Sequence, residues 1–392
     1  MWLFTLFHAF ATMKILLAPD SFKGSLSAVE AAHAMARGVR RALPHATVEI
    51  IPLADGGEGT LDALLASTGG LRKTGWVRGP LDDDLEANWG ILPDGTAVIE
   101  CAQSAGLTLV SAEQRDALRA SSYGMGQQIA AALDVGARRF WVGLGGSATT
   151  DGATGLLSAL GARFFDARDC VLPPGGGALE RLERVDLKFF DARLARCEFV
   201  ALADVTNPLV GESGAARVFA PQKGASSEQV EVLERGLGRL AHVTAQTLGR
   251  DASNEPGAGA AGGLGFGLMA FLRATMRPGI EAVLEASNFD VQLDGADLVL
   301  TGEGSLDAQT LGGKTVAGVC RAAKARGVPV VALGGRVVLS SAQMDELGLC
   351  SAFSLADGPR SLDECLEGGA QLLEAATERV VRVWQLLPHG DL

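Results

Sequence analysis

Several features that would indicate a membrane protein or a nucleic-acid-binding protein are missing from this 392-residue sequence. It has no uninterrupted run of 18 apolar residues, so we expect no membrane-spanning helix. It has no run of five basic residues, and its net charge is −12 because 46 carboxylates outnumber 34 lysines and arginines. Phosphate backbones need clustered cations, so a nucleic acid is disfavoured as the main partner.

Cysteine and histidine are both scarce, and neither is spaced as in a known catalytic or metal-binding motif. The six cysteines include no C-x-x-C pair in this long chain, so we interpret them as free thiols of a cytoplasmic protein. The five histidines all lie outside the glycine-rich segments described below. This placement argues against a Ser-His triad and against a histidine-rich metal site, and it removes the usual hydrolase mechanisms.

The first twelve residues, MWLFTLFHAFAT, are apolar but contain no lysine or arginine. A secretory signal peptide needs a basic start and a clear cleavage site, so this interpretation is only weakly supported. The segment runs directly into a strand-like sequence. We therefore expect residues 1–12 to be an upstream extension, with Met13 as the functional start.

Both ends of the chain alternate strand-like and helix-like segments. The apolar run KILLAP precedes an amphipathic stretch over Ala28–Ala42, and ADLVLTGEG and VPVVALGG repeat the pattern near the C-terminus. We predict an α/β fold with a doubly wound parallel-sheet domain, Rossmann- or flavodoxin-like, from residues 1–85 and 285–392. Residues 86–284 form an inserted second α/β domain, and the active site is expected in the cleft between the two.

Charged residues follow three of the predicted strands at the points where the strands end. Ligands of open parallel sheets bind beyond these carboxyl ends. Helix capping explains serines and threonines there, but it explains a lysine beside glycine, or two acids among four glycines, much less well. The strand-end residues that we select are Asp20, Ser21 and Lys23 in DSFKGS, Asp55 and Glu58 in DGGEGT, and Glu303 in TGEGS.

The sequence contains 51 glycines without a short period, and two clusters of them follow or precede predicted elements. Backbone N–H groups in such turns bind phosphate at helix starts, although about half of such turns are purely structural. Two in one chain favour a nucleotide. The candidate nucleotide- or phosphate-binding residues are Gly145, Gly146 and Ser147 in GLGGSATTDG, Gly262 and Gly263 in GAGAAGGLG, and the loop cation Lys223.

The segment DVTNP follows the strand-like run EFVALA and carries Asp204 and Asn207. An acid and an amide three residues apart at a strand end are suited to holding Mg²⁺ or to deprotonating a hydroxyl group. An Asx turn before proline explains them equally well. Asp204 falls in the predicted inserted domain, whereas Asp55 and Glu58 fall in the first domain, so domain closure would be needed to bring them together.

Seven motifs, in order along residues 13–385, resemble the bacterial glycerate kinase family of the first type. They are APDSFKGSLSA, PLADGGEGT, GLGGSATTDG, DVTNPL, PQKGA, PGAGAAGGLG and TGEGSLDAQT. The resemblance implies phosphorylation of D-glycerate by ATP to 2- or 3-phosphoglycerate, at a site between two α/β domains. It also implies a place in glyoxylate or sugar-acid catabolism that feeds glycolysis, and it leaves a homodimer open.

The residues themselves suggest roles in such a phosphoryl transfer, which needs carboxylates, a cation, Mg²⁺ and backbone N–H groups. We expect Lys23, Asp204 and Asp55 to be catalytic, with Asp204 and Glu303 holding Mg²⁺. We expect the substrate to be bound by Asp20, Ser21, Glu58 and Asn207.

Three other functions are weighed against this one. The first is a kinase for another small hydroxy acid, and the second is a nucleotide-dependent regulator without turnover. The third, a dinucleotide oxidoreductase, requires G-x-G-x-x-G after the first strand, where this chain has DSFKGS. A pure regulator would not need the acids and cations at the strand ends, so the kinase is preferred.

Overall fold

The computed structural model describes residues 13–386, so the expected extension over residues 1–12 lies outside the described residues. The chain divides into two compact units, each of which is presented by itself. Unit 1 contains the described residues up to Leu53 and from Ser287 onward, and unit 2 contains Ala54–Ala286.

Unit 1 consists of five strands and helices that alternate along the chain. Its strands are β1 (Lys14–Pro19), β2 (Thr47–Ile50), β11 (Leu298–Leu306), β12 (Val330–Val337) and β13 (Ser351–Ser354). Its helices are α1 (Ala28–Ala42), α10 (Phe289–Gln292), α11 (Thr315–Ala325), α12 (Ser341–Leu347), α13 (Leu362–Glu367) and α14 (Gly369–Trp384).

The sheet of unit 1 is entirely parallel, with the order β13-β12-β11-β1-β2. Counted within the unit this is the 2-1-3-4-5 order of flavodoxin-like folds, whose strand order reverses beside the first strand. Both faces of β1 are covered. Ile15 and Leu17 pack in the core with α1 and α14, and Leu16 and Ala18 on the other face are equally buried. The prediction of a parallel α/β fold is confirmed.

Helix α1 shows why these local sequences form these elements. Ser27 caps its first turn and accepts a hydrogen bond from the Glu30 N–H, while the Glu30 carboxylate accepts from the Ser27 N–H. Arg40 and Arg41 lie in the last turn, where the helix dipole favours positive charge. The helix therefore begins and ends where its periodicity predicts.

Unit 2 contains the remaining strands and helices. Its strands are β3 (Leu71–Arg78), β4 (Asp84–Ile91), β5 (Thr96–Glu100), β6 (Arg139–Gly143), β7 (Arg163–Phe165), β8 (Arg184–Asp186), β9 (Glu198–Leu202) and β10 (Thr275–Arg277). Its helices are α2 (Thr60–Thr68), α3 (Cys101–Ser104), α4 (Tyr123–Asp134), α5 (Thr154–Ala159), α6 (Ala215–Phe219), α7 (Ser227–Leu248), α8 (Ala260–Leu272) and α9 (Gly279–Ala286).

The main sheet of unit 2 has the order β10-β9-β6-β5-β4-β3, and β7 and β8 form a separate antiparallel pair. Strands β5, β6, β9 and β10 run parallel, whereas β4 is antiparallel to both of its neighbours. Strand β3 therefore runs in the same direction as β5. The carboxyl ends of β3, β5, β6, β9 and β10 all lie at one edge, which we call the carboxyl edge of unit 2.

The unit bounds differ from the domain bounds that the sequence suggested. Residues 54–85, which were assigned to the first domain, belong to unit 2 because β3 pairs along its whole length with β4. Strand β4 in turn pairs with β5, which ties this segment to the middle of the chain. The division of the chain into two domains itself stays a prediction.

Two further expectations concern membranes and thiols. Between residues 13 and 386, the chain forms no helix whose length and apolar character would suffice to cross a bilayer. The six cysteines, all of which lie in this range, form no disulfide.

Candidate active site

In unit 1 two of the predicted acids lie at neighbouring strands, but only Asp20 follows its strand; Glu303 lies within β11 and not after its end, because β11 continues to pair with β12 up to Leu306. Strands β1 and β11 pair with Pro19 opposite Gly302, so Asp20 and Glu303 come next on each. The Asp20 carboxylate accepts a hydrogen bond from the Ser21 N–H at 2.6 Å and another from the Thr315 hydroxyl. The Glu303 carboxylate accepts from the Thr310 hydroxyl at 2.6 Å. Both side chains are thus held in fixed orientations at the point where the strand order reverses.

Lys23 lies in a tight turn at the same edge. The buried ring of Phe22 anchors the turn, and the Phe22 N–H donates to the Leu26 carbonyl at 2.8 Å. Gly24 follows with φ of 79°, a conformation that favours glycine. Lys23 itself is exposed. The turn therefore presents an ammonium group to solvent beside the end of β1 and the Gly304 backbone of β11.

In unit 2 the residues 54–60, which we call the Asp55 loop, are held by hydrogen bonds within the loop and to two neighbouring strand ends. The Asp55 carboxylate accepts from the Gly57 N–H at 3.1 Å. The Gly59 N–H donates to Glu100 at 2.5 Å, and the Gly145 N–H donates to the Gly56 carbonyl at 3.2 Å. The loop is therefore fixed against the ends of β5 and β6, with Asp55 half-buried and Glu58 exposed.

Asp55 and Asp204 meet at one residue of unit 2, Gly279. The Asp204 carboxylate accepts a hydrogen bond from the Gly279 N–H at 3.1 Å. A Cβ atom on Gly279 would lie only 2.0 Å from the Asp55 backbone carbonyl oxygen, so the backbones of Gly279 and Asp55 are in contact. We expected these two acids in different domains, brought together by closure, but both lie in unit 2 because the β3–β4–β5 pairing places the Asp55 loop there.

Asn207 has a bracing contact beside Asp204. The side-chain amide of Asn207 donates to the Ser213 carbonyl at 2.8 Å, and the backbone carbonyl of Asn207 accepts from the Gly259 N–H at 2.8 Å. These bonds connect the segment after β9 to the turn before α8. A structural role thus accounts for at least part of this residue's presence.

Close packing explains most of the predicted glycine positions. A Cβ atom on Gly145 would lie 2.3 Å from the Gly57 Cα atom, and one on Gly262 would lie 2.0 Å from the Thr149 carbonyl oxygen. One on Gly263 would lie 2.8 Å from a Leu209 methyl carbon. Gly146 differs from these three. Its φ is 75°, but the nearest atom to a Cβ there would be a side-chain carbon 3.7 Å away.

Lys223 is buried instead of exposed to a ligand. Its ammonium group donates to the Ser147 hydroxyl at 2.9 Å and to the Thr149 carbonyl at 2.6 Å. Burial lowers the pKa of this lysine to about 8. The buried ammonium group of Lys223 therefore stabilises the GLGGSATTDG loop, and the Ser147 side chain is one of its two hydrogen-bond partners.

Known proteins were compared with the chain as a whole. A family model described as the glycerate kinase family matches residues 15–385. The chain belongs to the glycerate kinase family. A protein named glycerate kinase from Halalkalibacterium halodurans is 45% identical over 370 residues, which cover 94% of this chain and 97% of that protein. One named glycerate 2-kinase from Escherichia coli is 44% identical, with 91% and 94% covered.

A solved structure supports the same family. The crystal structure of a protein provisionally named glycerate kinase 2, from Salmonella typhimurium, superimposes with a TM-score of 0.85 at 41% identity. The alignment covers 95% of this chain and 98% of that one. This glycerate kinase family member is therefore a kinase with a mixed α/β fold, and membership in the family implies ATP as its co-substrate.

Two buried acids of this family member were not among the predicted site residues. Glu100 ends β5, is 1% exposed, and holds the Asp55 loop through Gly59, while its Oε2 atom makes no hydrogen bond. Burial raises its pKa to about 7. Asp151 accepts from the Ser122 N–H and hydroxyl at 2.8 Å each, and burial raises its pKa. The sequence signal that could have identified Glu100 is its position as the last residue of the strand-like run TAVIE.

Proposed function

We propose that this enzyme transfers the γ-phosphoryl group of ATP to the 2-hydroxyl group of D-glycerate. The observation that carries the proposal is that Gly279 contacts both residues, the carboxylate of Asp204 through its N–H group and the backbone carbonyl of Asp55 through its Cα, close to the carboxyl edge of unit 2. The name of the 44% identical relative, glycerate 2-kinase, favours the 2-hydroxyl over the 3-hydroxyl. The product would feed glyoxylate and sugar-acid catabolism into glycolysis.

Asp204 is the proposed general base. Phosphoryl transfer to an alcohol needs a group that accepts the hydroxyl proton, and a carboxylate at a strand end can do so. The Gly279 N–H bond orients this carboxylate, so one oxygen is fixed while the group remains half-buried. Asp55, whose backbone contacts the same Gly279, is proposed to orient the same hydroxyl group.

The remaining residues are proposed to bind the two substrates. The exposed ammonium group of Lys23 would neutralise a phosphate or the glycerate carboxylate. Asp20, Ser21, Glu58 and Asn207 stay the proposed contacts of the glycerate hydroxyl groups. In the GLGGSATTDG loop, Gly146 is the position with no packing explanation, so its backbone is the preferred phosphate contact. For Gly145, Ser147, Lys223, Gly262 and Gly263 the role stays a prediction beside their packing.

Mg²⁺ is the metal that this chemistry requires. Within residues 13–386 no three histidine, cysteine or acidic side chains surround a common point. Mg²⁺ commonly takes only one or two carboxylates together with substrate phosphates. Glu303 stays a predicted ligand, and Asp204 is the alternative ligand if another acid is the base; the bound ion would neutralise charge on the transferred phosphoryl group.

The experiment that tests this proposal is ADP release by the purified enzyme with ATP, Mg²⁺ and a panel of hydroxy acids. D-glycerate should give the highest kcat/KM, with L-glycerate, lactate and glycolate at least about tenfold lower, a difference of about 1.4 kcal/mol. Faster turnover of another acid would replace the substrate. ADP release that no acid accelerates would leave a regulator as the better interpretation.

A further inference from the structure

A cavity of about 670 Å³ lies in unit 2, apart from every residue discussed so far as part of the site. We call it the Arg119 cavity. Its walls are the turn after β3, the starts of α4 and α5, and the segment 171–181. Small-molecule sites commonly have volumes of about 300 to 1,000 Å³, so this cavity is large enough for a ligand of nucleotide size.

The cavity lies at the carboxyl edge of unit 2. Arg78 ends β3, which runs in the same direction as β5, and Arg78 lines the cavity. Helix α4 connects the parallel strands β5 and β6 and so must begin at this edge, where Tyr123 lines the cavity. The GLGGSATTDG loop leads directly into Thr154 and Gly155, which also line it. The cavity wall therefore begins just after the loop that we propose to contact phosphate.

The lining combines an apolar floor with a basic rim. Leu118, Phe164, Leu172 and Leu179 form the apolar part, and three arginines contribute to the rim. Such a surface suits a ligand with a flat apolar body and an anionic end, because aromatic rings pack on apolar side chains and guanidinium groups bind phosphate in pairs of hydrogen bonds. Glycerate, with three carbon atoms, would leave most of the volume unfilled.

The three arginines differ in their side-chain partners. Arg78 pairs with Asp82 at 2.9 Å and lies over the Tyr123 ring. The guanidinium groups of Arg119 and Arg181 make no hydrogen bond or ion pair with any described residue, although Arg181 contributes to lowering the pKa of Asp166. In a chain of net charge −12, Arg119 and Arg181 thus line one cavity while their guanidinium groups make no hydrogen bond or ion pair with any described acid, although acids are plentiful.

We propose that the Arg119 cavity binds the adenine nucleotide, with the base against the apolar floor and phosphates at Arg119 and Arg181. The choice of an adenine nucleotide rests on the proposed function, in which ATP is the phosphoryl donor. The cavity itself, its position at the carboxyl edge and its two arginines without ion pairs are independent of that choice.

The test is ADP binding by the full-length protein, measured by calorimetry, in two kinds of variant. The double change Arg119→Gln and Arg181→Gln removes the charges, and Ser158→Phe fills the cavity from α5. Each should raise the Kd for ADP and the KM for ATP at least about tenfold, with KM for D-glycerate changed less than about threefold. Arg168→Gln is the matched control, because this exposed arginine also acts on Asp166 but does not line the cavity.

The outcomes separate the cavity from the proposed function. Unchanged ADP affinity in both folded variants, with glycerate-dependent turnover by the wild type, would overturn the cavity assignment alone. Lost ADP binding with an intact KM for ATP would also overturn it, because the cavity would then lie outside the catalytic nucleotide site. Lost ADP binding in an enzyme that does not phosphorylate glycerate would support the cavity and contradict the proposed substrate.

Discussion

The Asp204 carboxylate accepts a hydrogen bond from a backbone N–H group, as acids that only cap a turn also do. A catalytic role of Asp204 must therefore be separated from a structural one. Asp204→Asn keeps an acceptor for the Gly279 N–H and removes the charge. We predict a folded variant whose kcat falls by roughly 10²-fold or more, the scale of a lost general base. Steady-state kinetics with the melting temperature measured alongside checks this.

Asp251→Asn provides the matched control. The Asp251 carboxylate likewise accepts one backbone N–H, from Ser253 at 2.8 Å, but it lies outside the site. Its kcat should stay at the wild-type value. If Asp204→Asn instead lowered only the melting temperature, Asp204 would be structural, and the base would have to be sought at Asp20 or Asp55.

Lys23 is exposed in a turn that the buried Phe22 ring anchors, so shortening its side chain should not affect the fold. Lys23→Ala should lower kcat/KM at least about tenfold, a loss of about 1.4 kcal/mol in transition-state stabilisation. Lys324→Ala on α11 removes an exposed lysine of the same unit and should leave the kinetics unchanged. Equal kinetics for the two variants would exclude a role for Lys23 in catalysis.

Glu100 predicts a pH dependence of stability. Its pKa rises from an ordinary value of 4.5 to about 7 because burial disfavours the charged form. The protonated form therefore stabilises the fold; this contribution is fully present below pH 4.5 and is lost as the pH rises through 7. Glu100→Gln keeps an acceptor for the Gly59 N–H and cannot ionise.

Urea unfolding of wild type and Glu100→Gln at pH 5 and pH 8 measures this effect. Relative to the variant, the wild type should lose on the order of 3 kcal/mol of unfolding free energy between these pH values, at about 1.4 kcal/mol for each unit of pKa shift. A constant difference between the two proteins would show that Glu100 does not titrate in this range.

At the scale of elements, two glycines with similar backbone angles separate packing from ligand binding. Gly146 and Gly262 have φ of 75° and 68°, so alanine costs a similar backbone strain at each. Only at position 262 would the new Cβ atom overlap the Thr149 carbonyl. We predict that Gly262→Ala is less stable than Gly146→Ala by about 1–3 kcal/mol, the usual cost of overpacking.

Denaturant unfolding and nucleotide affinity together test this pair. Gly146→Ala should remain folded and raise the KM for ATP, because its N–H group is the preferred phosphate contact. Gly262→Ala should show the larger loss of stability. The reverse order of stabilities would mean that the tight approach of Gly262 to Thr149 does not constrain the fold.

Strands buried on both faces and well-capped helices could be predicted from the sequence. KILLAP and Ala28–Ala42 became β1 and α1 because continuous apolar runs and 3.6-residue periodicity are strong local signals. The hairpin of β3 and β4 was missed, since most residues of β3 are exposed and show no apolar alternation. Near the C-terminus, Gly368 separates α13 from α14.

The same distinction applies to the site. The rule that ligands bind beyond strand ends selected Asp20 and Asp204, which the structure places shortly after β1 and β9. It also selected Asp55, which lies beyond β2 but in the other unit, and Glu303, which lies within β11. That Asp55 and Asp204 belong to one unit could not be predicted, because it depends on the pairing of the missed hairpin. The burial of Lys223 could not be predicted either, since lysines are almost never fully buried and its partners lie 74 and 76 residues away.

At the scale of the whole molecule, the two units divide the predicted chemistry. Unit 1 has a flavodoxin-like strand order that is interrupted after β2, and it carries Asp20 and Lys23. Unit 2 carries the Asp55 loop, Asp204 and the Arg119 cavity. Family membership applies to the entire arrangement, because the matching model extends over residues 15–385.

Phosphorus NMR of the reaction of ATP with D-glycerate tests the central claim most directly, because it identifies both the transfer and the hydroxyl group that receives the phosphate. With the purified full-length enzyme and Mg²⁺, we predict a phosphomonoester signal that matches authentic 2-phosphoglycerate and grows as ATP is consumed. A signal that matches 3-phosphoglycerate would contradict the assigned hydroxyl group. ATP that remains unconsumed in the presence of D-glycerate would contradict the proposed function itself.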